Sequence, residues 1–159
     1  MSPGAGLMPI WSRAVVDKRL DTAAKICAAR GAQFTSQRRA VFRLILEART
    51  PITAYELLDL LRVSHARATP ATIYRAIEFL VANDLIHKVE SLSAFIPCIE
   101  VAGHGHAAQF YICQRCGAVA ERDNAAVLEA LKAAAAEIGF RSGNVIVEVE
   151  GLCSACAAR

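Results

Sequence analysis

The chain has 159 residues, a net charge of +3 and a hydrophobic fraction of 55% that alanine inflates. That length suffices for one sizeable core or two small ones, and no run approaches the ~18–20 apolar residues that cross a bilayer. Met1 to Trp11 lacks the basic and apolar regions of a secretory leader, so a loose N-terminal arm and a soluble, cytoplasmic protein are expected.

The charge is unevenly spread. Met1 to Ser93 carries 13 Lys+Arg against 8 Asp+Glu, whereas Ala94 to Arg159 carries 5 against 7. The basic half is the candidate for a polyanionic partner.

The first half reads as successive short helices. Asp17 to Arg30 is amphipathic and Gly31 can stop it. Thr35 can cap a second helix carrying Val41, Phe42, Leu44, Ile45 and Leu46, with Pro51 past its end. Thr53 and Glu56 fit a capping box that opens a third helix with Leu57, Leu58, Leu60 and Leu61. Thr69-Pro70 opens a fourth, with Ile73, Ile77, Phe79, Leu80 and Val81 expected inward and an end near Asn83. Leu85 to Val89 and Ala94 to Pro97 are β-prone and read as a two-stranded wing. Helices followed by a hairpin make a winged helix-turn-helix, whose fourth helix would enter the major groove.

The second half changes pattern. Ala107 to Ile112 and Ala118 to Glu121 read as strands, and Asp123 or Asn124 caps a helix from Ala126 to Ile138 that Gly139 ends. In the last strand, Asn144 to Leu152, alternation places Val145, Val147 and Val149 on one face. This β-β-α-β piece is small enough to profit from a metal and from dimerisation.

Two Cys-x-x-Cys pairs, Cys113/Cys116 and Cys153/Cys156, each follow a predicted strand. Together they offer a tetrahedral S₄ site, the geometry of structural zinc. Two disulfides or a redox dithiol are the alternatives, and no secretory context favours them. A second group, His87, Cys98, His104, His106 and Glu121, contains three of the chain's four histidines. One thiolate, imidazoles and one carboxylate make a plausible second zinc site, neutral where the S₄ site stays at −2. Histidines on an exposed loop are the plain alternative.

On the fourth helix, Ile73 and Ile77 mark the buried face, leaving Thr72 and Arg75 toward a groove. Arg75 can pair with guanine O6 and N7, or clamp a phosphate instead. Thr72, Tyr74, Arg38 and Arg39 are candidates for contacts to the DNA backbone. Asp59 and Arg62, three apart on the third helix, fit an intrahelical ion pair; the sharper alternative is a contact between neighbouring dimers on a long operator.

Thr35-Ser-Gln-Arg-Arg39, Ala71-Thr-Ile-Tyr-Arg-Ala-Ile77, His106 with Phe110-Tyr-Ile-Cys-Gln-Arg-Cys-Gly117, and Cys153-Ser-Ala-Cys156 together carry a likeness. From Asp17 to Cys156 the chain resembles the ferric uptake regulator family of metal-dependent repressors, most closely its zinc uptake branch. The resemblance implies an α+β protein, an N-terminal winged helix-turn-helix domain joined by a hinge to a C-terminal α/β dimerisation domain with a Cys₄ zinc site. The expected boundaries are an arm at 1–16, a winged helix at 17–97, a hinge at 98–102 and a dimerisation and metal-binding domain at 103–159. It implies Zn²⁺ twice per chain: structural on Cys113, Cys116, Cys153 and Cys156, and regulatory on His87, Cys98, His106 and Glu121. It also implies that Tyr55 touches DNA, where plain packing is the alternative. Relatives often carry more histidines around His106; here only His104 accompanies it, so a third metal site is under-supplied.

The expected function is zinc-responsive repression of zinc-uptake genes by a homodimer on palindromic operator DNA. A sister regulator sensing iron, manganese or nickel, and a zinc-ribbon adaptor that never meets DNA, are the rival readings. An enzyme is not expected: the S₄ site is closed, the four-ligand site is full, and neither a nucleophile triad nor a glycine-rich phosphate loop is present.

Overall fold

The computed structural model describes residues 8–99, 108–143 and 145–158. The chain divides into two compact units, Pro9–His104 and Met1–Met8 with Gly105–Arg159.

In the first unit, α1 (Arg13–Ala29) begins four residues before the amphipathic run read from the sequence, because the Ser12 hydroxyl accepts from the Val15 amide. It ends where Gly31 turns left-handed at φ +68°. The Gly31 amide then reaches Ala28 O at 3.0 Å and the Ala32 amide Cys27 O at 2.8 Å, which satisfies two terminal carbonyls. Helix α2 (Ser36–Glu47) is capped by Thr35 and packs against α1, α3, α4 and β3. Strand β1 (Ile52–Thr53) leads into α3 (Ala54–Ser64), which opens with the reciprocal Thr53–Glu56 capping box. Helix α4 (Pro70–Ala82) starts with proline in its first turn.

Antiparallel β2 (Ile86–Val89) and β3 (Ala94–Pro97) follow, with Ser93 at φ +48° in their turn. The wing is three-stranded, not two-stranded: β1 adds to β3, pairing Ile52 with Phe95 and Thr53 with Ala94. One core joins these elements, filled by Leu20, Phe42, Ile45, Leu57, Ile73 and Leu80 among others. Val81, expected inward, is exposed. The 3.6-residue period buries Ile73, Ala76, Ile77 and Leu80, and Val81 falls about 100° past that stripe.

In the second unit, β4 (Gln109–Cys113) lies between β5 (Val119–Arg122) and β6 (Val147–Gly151). It runs antiparallel to β5 and parallel to β6. The parallel pairing needs a crossover, which α5 (Ala125–Glu137) supplies. Asn124 caps α5, and Gly139 at φ +70° follows its end. A single turn, α6 (Ser154–Ala157), closes the unit. Among the described residues, no helix is long and apolar enough to cross a membrane.

Candidate metal centres and nucleic-acid interface

The parallel register of β4 and β6 sets Cys113 opposite Gly151, so both Cys-x-x-Cys turns open at the same end of neighbouring strands. Gly117 at φ +70° lets the first turn fold back, with its amide on Cys113 O at 2.9 Å. The amide of Gln114 reaches Gly151 O at 2.9 Å and ties the two turns together. The guanidinium of Arg115 donates to the carbonyl of Cys156 and adds a second tie.

All four sulfurs lie within 4.8 Å of one another. Cys116 Sγ and Cys153 Sγ are 3.8 Å apart. A tetrahedron with Zn–S bonds of about 2.3 Å has edges of roughly 3.8 Å, so the sulfurs already fit the ion. All six cysteines are free thiols, which removes the disulfide alternative.

The electrostatics point the same way. The Cys113 thiol is lowered to about 6, first by the Cys153 amide, which donates to its sulfur at 3.3 Å, then by the Cys116 amide. The Cys156 thiol is raised to about 12, first by its hydrogen bond to Cys153, then by burial. Four crowded thiols without a cation cannot all ionise; a divalent ion lets each become a thiolate.

Within the first unit, His87 sits on β2 opposite Ile96, and Cys98 follows β3 directly. Their ligand atoms lie within 4.8 Å of each other. The Cys98 amide donates to Leu85 O at 3.0 Å, and the residue has 0% exposure. A buried soft donor beside an imidazole suits zinc better than harder ions. Glu121 belongs to the second unit, on β5 opposite Phe110, and is buried. His104 and His106 lie outside the described residues.

Candidate DNA contacts separate by their neighbours. Tyr55 is 76% exposed at the start of α3, which removes the plain packing alternative, and Tyr74 and Arg75 are exposed on α4. Thr72 is half-buried and occupied: its hydroxyl accepts from the Thr69 amide at 3.2 Å, in a second capping box. The sequence pattern Thr-x-x-Thr carried that signal, although glutamate or glutamine is the usual partner. Arg38 stacks on Phe79, with Cζ 3.8 Å from the ring centroid. Arg39 pairs with Asp21 at 2.8 Å. Arg62 donates to Ala68 O at 3.2 Å, and among the described residues no ion pair joins it to Asp59. Sequence reasoning missed Arg19, which donates to the carbonyls of Cys98 and Ile99.

A winged helix, a preformed S₄ cluster and a half-buried histidine beside a buried cysteine define a class of metal-linked helix-turn-helix proteins. The comparisons narrow it. The ferric uptake regulator family profile matches residues 29–150. The zinc uptake regulation protein of Escherichia coli (strain K12) is 41% identical over 137 residues, covering 86% of this chain and 80% of that one. A zinc uptake regulator solved with zinc and DNA superposes with a TM-score of 0.86 at 39% identity, over 90% of this chain and 95% of that chain. The holo form of XcZur gives 0.83 at 38% identity, over 90% and 99%. The chain belongs to the ferric uptake regulator family, in its zinc uptake regulator branch.

Proposed function

We infer that the chain is a zinc-responsive transcriptional repressor of zinc-uptake genes, acting in the cytoplasm as a homodimer on palindromic operator DNA. The observation that carries this reading is the buried Cys98 thiol held beside His87. A thiolate in the sensing site selects zinc over iron or manganese.

Structural zinc belongs to Cys113, Cys116, Cys153 and Cys156, and regulatory zinc to His87, Cys98, His106 and Glu121. The structural ion supplies charge neutralisation and cross-linking of the two turns. Occupancy of the regulatory site selects the population that presents the recognition helices to two half-sites. A tenfold gain in operator affinity needs about 1.4 kcal/mol of coupling. Arg75 reads a base, Tyr55 touches DNA and Tyr74 contacts its backbone. Thr72, Arg38 and Arg39 are weaker backbone contacts, since each already has a neighbour. Asp59 and Arg62 remain a pair for contact between adjacent dimers.

The dimer surface lies on the second unit. Helix α5 has no buried residue, and Leu131, Ile138, Phe140, Val149 and Leu152 are exposed. Val149 and Leu152, with Tyr111 and Ala120, line part of an open hollow of about 920 Å³. A second copy would cover that apolar surface.

The test is operator binding at buffered free zinc with metal content measured alongside. Cys98→Ser is expected to keep the dimer and one tight zinc per chain while losing zinc-stimulated binding. Undiminished zinc dependence in that variant would overturn the reading.

A further inference from the structure

Arg19 on α1 lies 79 residues before Cys98, and no sequence pattern links them. Its Nη2 donates to the Cys98 carbonyl, and its Nη1 donates to the Ile99 carbonyl at 3.3 Å. The Trp11 ring covers the guanidinium, whose Cζ is 4.1 Å from the ring centroid. On the other side, the Cys98 amide donates to Leu85 O at 3.0 Å. The backbone of Cys98 is thus gripped twice, by the wing through its N–H and by α1 through its carbonyl.

This grip is specific in chemistry. A planar guanidinium fork can serve two successive carbonyls at once, whereas an ammonium is a single point charge. The indole face orients the fork and shields it from water. Trp11, Arg19 and the Cys98–Ile99 backbone belong to the same compact unit.

We propose that Arg19, braced by Trp11, is the positioning residue for the metal-sensing cysteine. It fixes the main chain of Cys98 before the ion arrives, so the ordering cost is not subtracted from metal binding. It also links that main chain to α1, which packs on α2, which in turn packs on α3 and α4. A shift of the Cys98 carbonyl therefore reaches the helix-turn-helix through contiguous packed elements. The proposal rests on the assignment of Cys98 as a regulatory ligand.

The test uses the full-length dimer with its structural zinc in place, and the variants Arg19→Gln, Arg19→Lys, Trp11→Leu and Cys98→Ser. Three quantities are read. They are the free zinc at half-maximal operator binding, zinc affinity by chelator competition without DNA, and the emission of Trp11, the chain's single tryptophan, during zinc titration. Arg19→Gln is expected to raise both zinc midpoints about tenfold, equivalent to about 1.4 kcal/mol, with operator affinity at saturating zinc unchanged. Arg19→Lys and Trp11→Leu are expected to shift the midpoints in the same direction by less. Trp11 emission is expected to follow zinc occupancy in the parent protein and to lose that response in Arg19→Gln.

Zinc midpoints left at the parent value in Arg19→Gln and Arg19→Lys would overturn the proposal. So would an equal loss of operator affinity at every zinc concentration, which would mark a merely structural residue or a DNA contact. Should Arg19→Gln fail to fold, the midpoints of Arg19→Lys and Trp11→Leu decide. Cys98→Ser separates the two layers. Retained zinc dependence there sinks the ligand assignment itself. Abolished dependence with parent-like Arg19 variants sinks only the role of Arg19.

Discussion

Arg39 and Arg75 carry the same charge in different company. Arg39 already has Asp21 at 2.8 Å, so its charge is answered within the protein. Arg75 stands exposed on α4, beyond the stripe formed by Ile73, Ala76 and Ile77. Arg75→Ala is expected to weaken operator binding by about 1–3 kcal/mol, with zinc content unchanged. Arg75→Lys separates the two contact types in a binding assay across a salt series. A phosphate contact tolerates lysine and keeps the salt slope, while a base contact does not recover. At this scale the sequence was informative where chemistry lies close in the chain. The four sulfurs of Cys113, Cys116, Cys153 and Cys156 were legible because two short turns announce them. His87 and Cys98 meet across a hairpin; their residue types placed them in one group of candidate donors, and the family resemblance narrowed that group. Arg19 was invisible, since its partners are carbonyl oxygens that every residue possesses.

Helix ends were the most legible elements because capping is a local matter. Thr35, Thr53, Asn124 and Gly139 all mark boundaries where side-chain or glycine chemistry demands them. Strand β1 was missed because two residues carry no periodicity; its existence depends on β3, some forty residues later. Val81 was misread because being apolar is not the same as lying on the stripe. At the start of α3, the Thr53 hydroxyl accepts from the Glu56 amide at 3.3 Å, and Glu56 Oε2 accepts from the Thr53 amide at 2.7 Å. Thr53→Ala is expected to cost about 1 kcal/mol in urea unfolding. The Glu56 carboxyl is held below its ordinary value of 4.5, first by the Thr53 amide and then by the Thr53 hydroxyl. A carboxyl lowered in the folded state adds stability above its ordinary value and loses it as pH falls through the folded one. The urea midpoint should therefore fall on acidification below that range, and fall less in Glu56→Gln.

For the whole molecule, the expected dimer explains a pattern that one chain leaves unfinished. Valine alternation placed Val147 and Val149 on one face of β6, and Val149 on that apolar face is exposed. A face that is completed only by a second copy cannot look buried in a single chain. Val149→Arg is expected to give monomers in sedimentation while retaining the S₄ zinc. Operator affinity should drop with it, because two half-sites are then no longer engaged by linked units. The parallel pairing of β4 with β6 carries a different consequence. Cys116 and Cys153 are separated by 37 positions, and the intervening helix must cross over before the strands can lie side by side. Until then the emerging polypeptide offers only the first two of the four sulfurs. Closure of the S₄ site is thereby deferred until β6 is made and docked, and a chain cut short before Cys153 cannot complete it.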